Sequence, residues 1–205
     1  MRVDSYLACH GFPCIDVNHQ GYRIPSVDLD PASVRLVMIS EASSLEPADD
    51  YYGSGDALFK RTTLQAFQDA GAAVSTFGDI LAMGIYITHA VKCAKTAYAI
   101  QTQTVDTCSR ILEQELALFP NVQVYLLMGD VAIKSVNTIA KRSGEPRVIP
   151  AQATYKLRGQ EFYFRGKRAF PSYLQAGPSY FIEKSKRQMI AEDIAAALAL
   201  LFPSA

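Results

Sequence analysis

The chain has 205 residues, of which 49% are hydrophobic and 20% are charged, with 20 basic and 20 acidic side chains. These values fit an ordinary soluble globular protein with a large core. No apolar run reaches the ~18 residues that a membrane helix needs, and the N-terminus has no long apolar segment typical of a secretory signal. We therefore expect one domain over residues 1–205, located in the cytoplasm, with no membrane partner.

The balanced total charge hides a strong asymmetry along the chain. Residues 1–140 carry 9 Lys and Arg against 15 Asp and Glu, whereas residues 141–190 carry 11 against 3. A basic segment on a neutral chain is what a one-sided phosphate-binding face needs. The alternative is a solvated helix and hairpin with surplus lysines, and charge by itself favours that alternative.

Apolar periodicity predicts alternating strands and helices. Short buried strands are expected at 34–39, 85–88 and 122–128. Helical spacing covers 57–70, 105–119, 131–141 and 181–201, and a hairpin is expected over 155–164 with its turn at 158–160. This order predicts a three-layer α/β/α fold around a central, mainly parallel four-stranded sheet.

Function in such sheets gathers at the carboxyl ends of the strands. Glu41 follows the first predicted strand, and a carboxylate there is placed to orient a water or act as a general base. Tyr51 and Tyr52 in the same loop could stack on a flat ring. His89 follows the second strand. The alternative for the first loop is a polar surface loop whose carboxylates cap the next helix. The alternative for His89 is a structural, hydrogen-bonded imidazole.

Four cysteines stand at positions 9, 14, 93 and 108. Disulfides are disfavoured in the cytoplasm. Four thiolates suit a tetrahedral zinc ion or an iron–sulfur cluster. Four unrelated buried thiols remain the alternative.

Five short motifs in order resemble the iron–sulfur type of uracil-DNA glycosylase. The family's Gly-Glu-Ala-Pro-Gly loop corresponds to residues 40–44, and its acidic-aromatic-glycine turn to 49–55. Its Asn-Val-Val-Lys-Cys strand end corresponds to 89–93, and its second cluster cysteine to Cys108. Its His-Pro-Ser motif corresponds to 170–172. The resemblance spans most of the chain, from about Cys9 to Ile194.

The resemblance implies roles for individual residues. Glu41 would position the attacking water, Tyr51 or Tyr52 would stack on the flipped base, and Ser172 would enter the base pocket. The cysteines Cys9, Cys14, Cys93 and Cys108 would hold a structural 4Fe–4S cluster. Phosphate contacts are expected from Arg165, Lys167, Arg168, Lys184, Lys186 and Arg187.

Two base-handling positions depart from the family pattern. His89 stands where Asn is expected, and Phe170 stands where His is expected. Phenylalanine cannot donate a hydrogen bond to the departing base, and such a lost donor typically costs ~10²–10³-fold in rate. A donating His89 would take over that role and make activity depend on pH near ~6.5, the ordinary pKa of imidazole.

The sequence thus predicts a DNA-repair glycosylase, a monomer that binds DNA and hydrolyses the N-glycosidic bond of a flipped uracil or other deaminated or modified base. The alternative is a catalytically silent DNA- or nucleotide-binding protein on the same fold. A redox-type iron–sulfur protein ranks third.

Overall fold

The computed structural model describes residues 1–177 and 179–203. One sheet holds all six strands found in that part of the chain: β1 Val17–Asn18, β2 Leu36–Ser43, β3 Ile85–Lys95, β4 Val124–Met128, β5 Phe162–Phe164 and β6 Lys167–Ser172. Their spatial order is β1-β3-β2-β4-β6-β5. The four central strands are mutually parallel, and β1 and β5 are antiparallel edges.

Helices cover both faces of this sheet. They are α1 Leu58–Asp69, α2 Phe77–Ala82, α3 Thr102–Leu116, α4 Asp130–Arg142, α5 Thr154–Leu157, α6 Ser179–Ile182 and α7 Lys184–Leu201. Two buried apolar clusters lie on opposite faces, one including α3 and α4 and the other including α1 and α7. The central strands are therefore buried on both sides, which explains why β2 and β4 are almost continuously apolar.

The predicted α/β class with a mainly parallel sheet is confirmed, with six strands rather than four. The two additional strands are the short antiparallel edges, which carry too few residues for a periodic signal. Strand β3 is also much longer than the predicted 85–88, because its distal half stays paired with β2 and its last two residues, Ala94 and Lys95, pair with β1. His89 therefore lies within a strand and not in a loop.

The predicted hairpin at 155–164 is displaced along the chain. Thr154–Leu157 is helical, and the hairpin is formed by β5 and β6. Its two-residue turn is Arg165-Gly166, with φ values of 49° and 72°. Positive φ at both central positions is the geometry whose twist matches that of the flanking strands. The predicted turn at 158–160 was therefore wrong, because Arg158 caps the end of α5 and the hairpin turns at 165–166.

Helix α2 was not predicted from apolar spacing. Its start is fixed by a capping box, in which the Thr76 hydroxyl accepts from the Asp79 N–H and the Asp79 carboxylate accepts from the Thr76 N–H. This reciprocal pair satisfies two donors at the helix start. Six residues are too few to show a helical period, so only the cap could have indicated α2.

Candidate functional site

The parallel strands β2 and β3 place two predicted residues at neighbouring positions. Ser40 on β2 is directly opposite His89 on β3. Successive side chains of a strand point to opposite faces, so Glu41 lies on the other face of the sheet from Ser40. The structure therefore places Glu41 and His89 in different surroundings.

The Glu41 carboxylate is held between a lysine and a helix start. Lys95 at the end of β3 forms an ion pair with it. The Glu41 side chain is 14% exposed and the Lys95 side chain is 29% exposed. The N–H of Val131 in α4 faces the other carboxylate oxygen at 3.4 Å. Gly129 leaves the room for this carboxylate, since a Cβ there would lie 2.5 Å from Oε1. The positive end of the helix favours a carboxylate at this place.

Glu41 lines a cleft of about 260 Å³ together with Lys95, Phe59 and Leu174. Phe59 is the second residue of α1, and Leu174 follows β6. The cleft thus combines a carboxylate, an ammonium group and an aromatic ring at the carboxyl edge of the sheet. Sequence reasoning missed Phe59; its position just after the Gly53 to Gly55 turn was the available signal.

His89 is buried, and both of its ring nitrogens are engaged. Nδ1 lies 2.7 Å from the Ser40 hydroxyl, and Nε2 lies 3.0 Å from Asp50 Oδ2. The imidazole also stacks on the Tyr51 ring, with centroids 5.1 Å apart. A catalytic role for His89 stays a prediction, and it would require one of these bonds to open.

Asp50 and His89 reach the wall of a separate groove of about 480 Å³, which Arg23 and Tyr52 also line. Burial by itself would raise the pKa of the Asp50 carboxyl. The charge and the hydrogen bond of His89, the Ser44 N–H and Arg23 outweigh burial and hold that pKa below its ordinary value. The groove therefore has an anionic and a cationic group side by side.

The two candidate stacking residues are both anchored. Tyr51 is completely buried, and burial raises the pKa of its phenol above the ordinary value. The Tyr52 hydroxyl donates to the Ile87 carbonyl at 2.9 Å and accepts from the Ile87 N–H at 3.2 Å. Tyr51 is enclosed, and Tyr52 is half-buried in the wall of the groove beside Asp50. Base stacking by either ring remains a prediction.

The residues of the last motif, 170–172, lie on β6. The buried Ser172 hydroxyl donates to Asp193 at 2.6 Å, and burial raises the pKa of that aspartate. The ring of Phe170 is covered by the Arg168 guanidinium at 4.4 Å. The Ser172–Asp193 bond holds β6 against α7, whereas the Arg168–Phe170 contact lies within β6. A role for Ser172 in base binding stays a prediction.

The four cysteines converge from distant parts of the chain. Cys14, Cys93 and Cys108 are buried in one apolar cluster, and Cys9 packs against it. All four thiols are free. Burial and then the charges of Cys108, Cys9 and Cys14 raise the pKa of Cys93 to about 12. Burial raises the pKa of Cys108 to about 11.

Among the described residues, no three His, Cys, Asp or Glu side chains are arranged to hold a metal ion. A single zinc ion draws each thiolate sulfur to ~2.3 Å. In a four-iron cluster each cysteine binds a different iron, so the sulfurs stand farther apart. Four cysteines supply the number of ligands that such a cluster needs, and the raised pKa values of Cys93 and Cys108 mean that binding would displace their protons.

The six predicted DNA-contacting residues form two groups. Arg165, Lys167 and Arg168 lie at the start of β6, which is the amino edge of the parallel strands. Lys184, Lys186 and Arg187 lie at the start of α7, beyond the carboxyl edge. Several already have partners: Arg165 pairs with Glu113, Lys186 with Glu183 and Arg187 with Asp69. The amino-edge group lies away from the Glu41 cleft.

Within the described residues, no helix combines the length and the apolar character needed to span a bilayer.

The fold and the edge that carries Glu41 define an open α/β protein with its polar groups at the carboxyl ends of the strands. The sequence model of the uracil-DNA glycosylase superfamily matches residues 27–197. That segment is most of the chain, and the chain belongs to this superfamily.

Two known proteins are similar to this chain to different extents. A type-5 uracil-DNA glycosylase from Thermus thermophilus is 34% identical over 58 residues, which are 28% of this chain and 26% of that protein. The match therefore spans about a quarter of the Thermus protein. The wild-type UNG crystal structure from Nitratifractor salsuginis superposes with a TM-score of 0.39 and 10% identity, over 80% of this chain and 74% of that one.

Proposed function

We propose that this chain is a DNA glycosylase that hydrolyses the N-glycosidic bond of a flipped uracil or other deaminated or modified base. The observation that carries the proposal is the Glu41 cleft at the carboxyl edge of a superfamily fold. Glu41 orients a water towards the sugar carbon, where positive charge develops as the base leaves. Lys95 and the start of α4 keep the carboxylate in place. Phe59 offers the aromatic face in the same cleft.

The test is excision from a panel of base-modified oligonucleotides, read as abasic sites. On whichever base the wild type removes, Glu41→Gln should lose about 10²–10⁴-fold in rate, the usual contribution of a positioned general base. Glu46→Gln is the matched control, because Glu46 is an exposed carboxylate of the same loop. Equal loss in both variants, or full activity of Glu41→Gln, would contradict the mechanism.

DNA is proposed to approach the carboxyl edge, where the cleft opens. Lys184→Glu should then weaken duplex binding and lower the salt dependence by about 0.9 for the lost phosphate contact. Lys167→Glu is the control, since Lys167 is equally exposed but lies at the opposite edge of the sheet. A larger effect at Lys167 would place the DNA on the amino edge.

The four cysteines are proposed to hold a structural 4Fe–4S cluster, as the resemblance of this chain's motifs to the iron–sulfur type of uracil-DNA glycosylase implies. The cluster would link the N-terminal segment to β3 and α3 and supply folding free energy. Anaerobically purified protein should be brown and contain iron, and Cys108→Ser should lose the iron. A colourless, iron-free and folded wild type would disprove this part.

A silent binding protein is the second candidate. The specific observation in its favour is that both ring nitrogens of His89 are engaged by Ser40 and Asp50 and that position 170 is a phenylalanine without a donor. The Glu41 cleft therefore lacks a family donor for the departing base. DNA binding without excision of any base in the panel would select this candidate.

A further inference from the structure

A second cleft, of about 490 Å³, lies on the flank of the domain, between the outer face of α4, the segment leading into α3 and the loop after α4. Helix α4 contributes Lys134, Asn137, Thr138 and Lys141, which follow the i, i+3, i+4 and i+7 spacing of one helix face. The volume falls within the ~300–1,000 Å³ of clefts that hold drug-sized ligands. The proposed excision chemistry uses none of these residues.

This α4 cleft extends away from the edge where DNA is proposed to bind. The Glu41 carboxylate faces the N–H of Val131 at the start of α4. Each helical residue advances ~1.5 Å, so Lys141 lies about 15 Å farther along the helix axis than Val131. A ligand in the α4 cleft and a duplex at the carboxyl edge therefore use different surfaces of the domain.

The rim of the α4 cleft carries positive charge without acidic partners. Lys134 is paired with Asp130 at 2.5 Å. Lys141 and Arg147 have no ion pair with any residue in the part of the chain that the structure describes. Arg147 donates from Nε to the Ile149 carbonyl at 2.9 Å, which ties its guanidinium to the rim. Two cationic groups are thus available to an acidic ligand.

One carboxylate also lines the α4 cleft. Glu145 stands in the loop after α4, and its Oε1 lies 4.0 Å from Arg165 Nε, which is not a lining residue. Among the described lining residues, three cationic side chains therefore face one carboxylate. The excess of positive charge favours a ligand with several negative charges.

The floor of the α4 cleft is aliphatic. Ile100 and Val105 reach it from the start of α3, and both belong to the apolar cluster on that face of the sheet. The Asn137 amide beside them is already used: its Oδ1 accepts from the Val148 and Ile149 N–H groups at 2.9 and 3.0 Å, and its Nδ2 donates to the Ile149 carbonyl at 2.9 Å. A ligand therefore meets a fixed apolar floor below a cationic rim.

We propose that the α4 cleft docks a short acidic peptide segment of a partner protein. One apolar side chain of the peptide lies on the floor formed by Ile100 and Val105, and its carboxylates lie beside Lys141 and Arg147. A buried anchor side chain and complementary charge at the rim are the usual elements of such recognition. The docking is independent of the proposed excision, and it leaves the carboxyl edge open to DNA.

A single-stranded nucleic acid fits the α4 cleft less well. Its phosphates would satisfy the cations, but proteins that bind single strands stack the bases on aromatic side chains. None of the described residues that line this cleft is aromatic. The aliphatic floor therefore favours a peptide side chain over a base.

The test is calorimetric titration of the protein with a capped peptide in which acidic residues flank one central phenylalanine. A control peptide with alanine at the centre should bind about 10–100-fold more weakly, because it has no large side chain to bury. Lys141→Glu should weaken binding of the first peptide about tenfold or more. Lys156→Glu is the matched control, since Lys156 is an exposed lysine of the same basic segment that does not line the cleft.

Two further variants separate the floor from the charge. Thr138→Trp fills the α4 cleft and leaves every charge in place, so binding should fall about tenfold or more. Glu145→Gln removes the carboxylate and should strengthen binding about two- to fivefold. No binding of the first peptide below ~1 mM, or equal binding of the two peptides, would overturn the proposal. Unchanged affinity in Thr138→Trp would overturn it as well.

An oligothymidylate of similar charge tests the nucleic-acid alternative. It should not displace the peptide, and displacement that Lys141→Glu abolishes would assign the cleft to nucleic acid and overturn the proposal. Excision from base-modified oligonucleotides should be equal in the wild type and Lys141→Glu. Peptide binding without any excision would remove the proposed function alone, and excision without peptide binding would remove this docking site alone.

Discussion

Strand β3 carries two buried polar clusters, one around Lys92 and one around His89. They differ in how completely their polar atoms are hydrogen-bonded. On the α3 side, Lys92 and Glu115 form a fully buried ion pair. The Lys92 ammonium also donates to the Thr88 hydroxyl at 2.8 Å and to the His89 carbonyl at 2.6 Å. Glu115 further accepts from the hydroxyls of Tyr86 and Thr88 at 2.7 and 2.8 Å. Every charged atom of this cluster has a partner.

On the other face, the cluster around His89 is incomplete. His89 is bonded to Ser40 and Asp50, but the Tyr51 hydroxyl and Gln175 Oε1 are unpaired among the residues that the structure describes. A satisfied buried network specifies and rigidifies a fold, whereas each unpaired buried polar atom calls for an explanation. The two clusters on β3 therefore differ in how completely the fold satisfies their polar atoms.

The largest effect is expected from opening the satisfied cluster. Lys92→Met leaves the buried Glu115 without its counter-charge and should lower the free energy of unfolding by about 3–5 kcal/mol. Urea denaturation measures this. Adding Glu115→Leu should restore most of the loss, because an apolar pair of similar volume carries no desolvation penalty.

The exposed pair of Lys134 and Asp130 on α4 is the control for this prediction. Lys134→Met should change the free energy of unfolding by less than about 1 kcal/mol, as is usual for surface pairs. An equally small change in the free energy of unfolding for Lys92→Met would show that the α3-side cluster does not stabilise the fold.

A matched pair of tyrosine substitutions tests the comparison directly. Tyr86→Phe removes a hydroxyl bonded to Glu115 and should cost about 1–3 kcal/mol. Tyr51→Phe removes a hydroxyl without a partner in the described part of the chain, and should be neutral or stabilising. Both are measured by thermal and urea unfolding. A similar loss in the two variants would mean that the Tyr51 hydroxyl is bonded in solution, and the contrast between the clusters would disappear.

The smallest effect is expected in acid, and it concerns Asp50. Its pKa in the folded protein lies below the ordinary value of 3.8, so the folded state favours the ionised form. The stability that this preference contributes is present above about pH 4 and is lost as pH falls through the folded pKa. Asp50→Asn should therefore be less stable than the wild type near neutral pH and lose less stability on acidification.

Unfolding curves from neutral pH down to about pH 3 measure this difference between the two proteins. Glu46→Gln, at an exposed carboxylate of the same loop, should follow the wild-type curve. Parallel curves for Asp50→Asn and the wild type would show that the Asp50 carboxyl contributes no pH-dependent stability.

Much of the fold could be predicted from local patterns. The buried strands β2 and β4 and the helices α1, α3, α4 and α7 are long or apolar enough to show their own period, and their order implies a parallel sheet. The motif order also placed the chain in the superfamily that the match over residues 27–197 shows. These features depend on neighbouring residues along the chain, which a sequence displays directly.

The tertiary structure decided which residues meet. Strand β3 continues to Lys95 because a distant segment at Val17 pairs with it, and that extension brings Lys95 to Glu41. Glu41 and His89 lie on opposite faces of the sheet, because successive side chains of a strand alternate between its two faces. The sequence showed only that both residues follow a predicted strand. Gln175 joins Tyr51 only because β6 ends beside α1, and the basic residues of 141–190 divide because β6 and α7 start at opposite edges of the sheet. These outcomes rest on strand register and on contacts between residues far apart in the chain, and no local pattern encodes them.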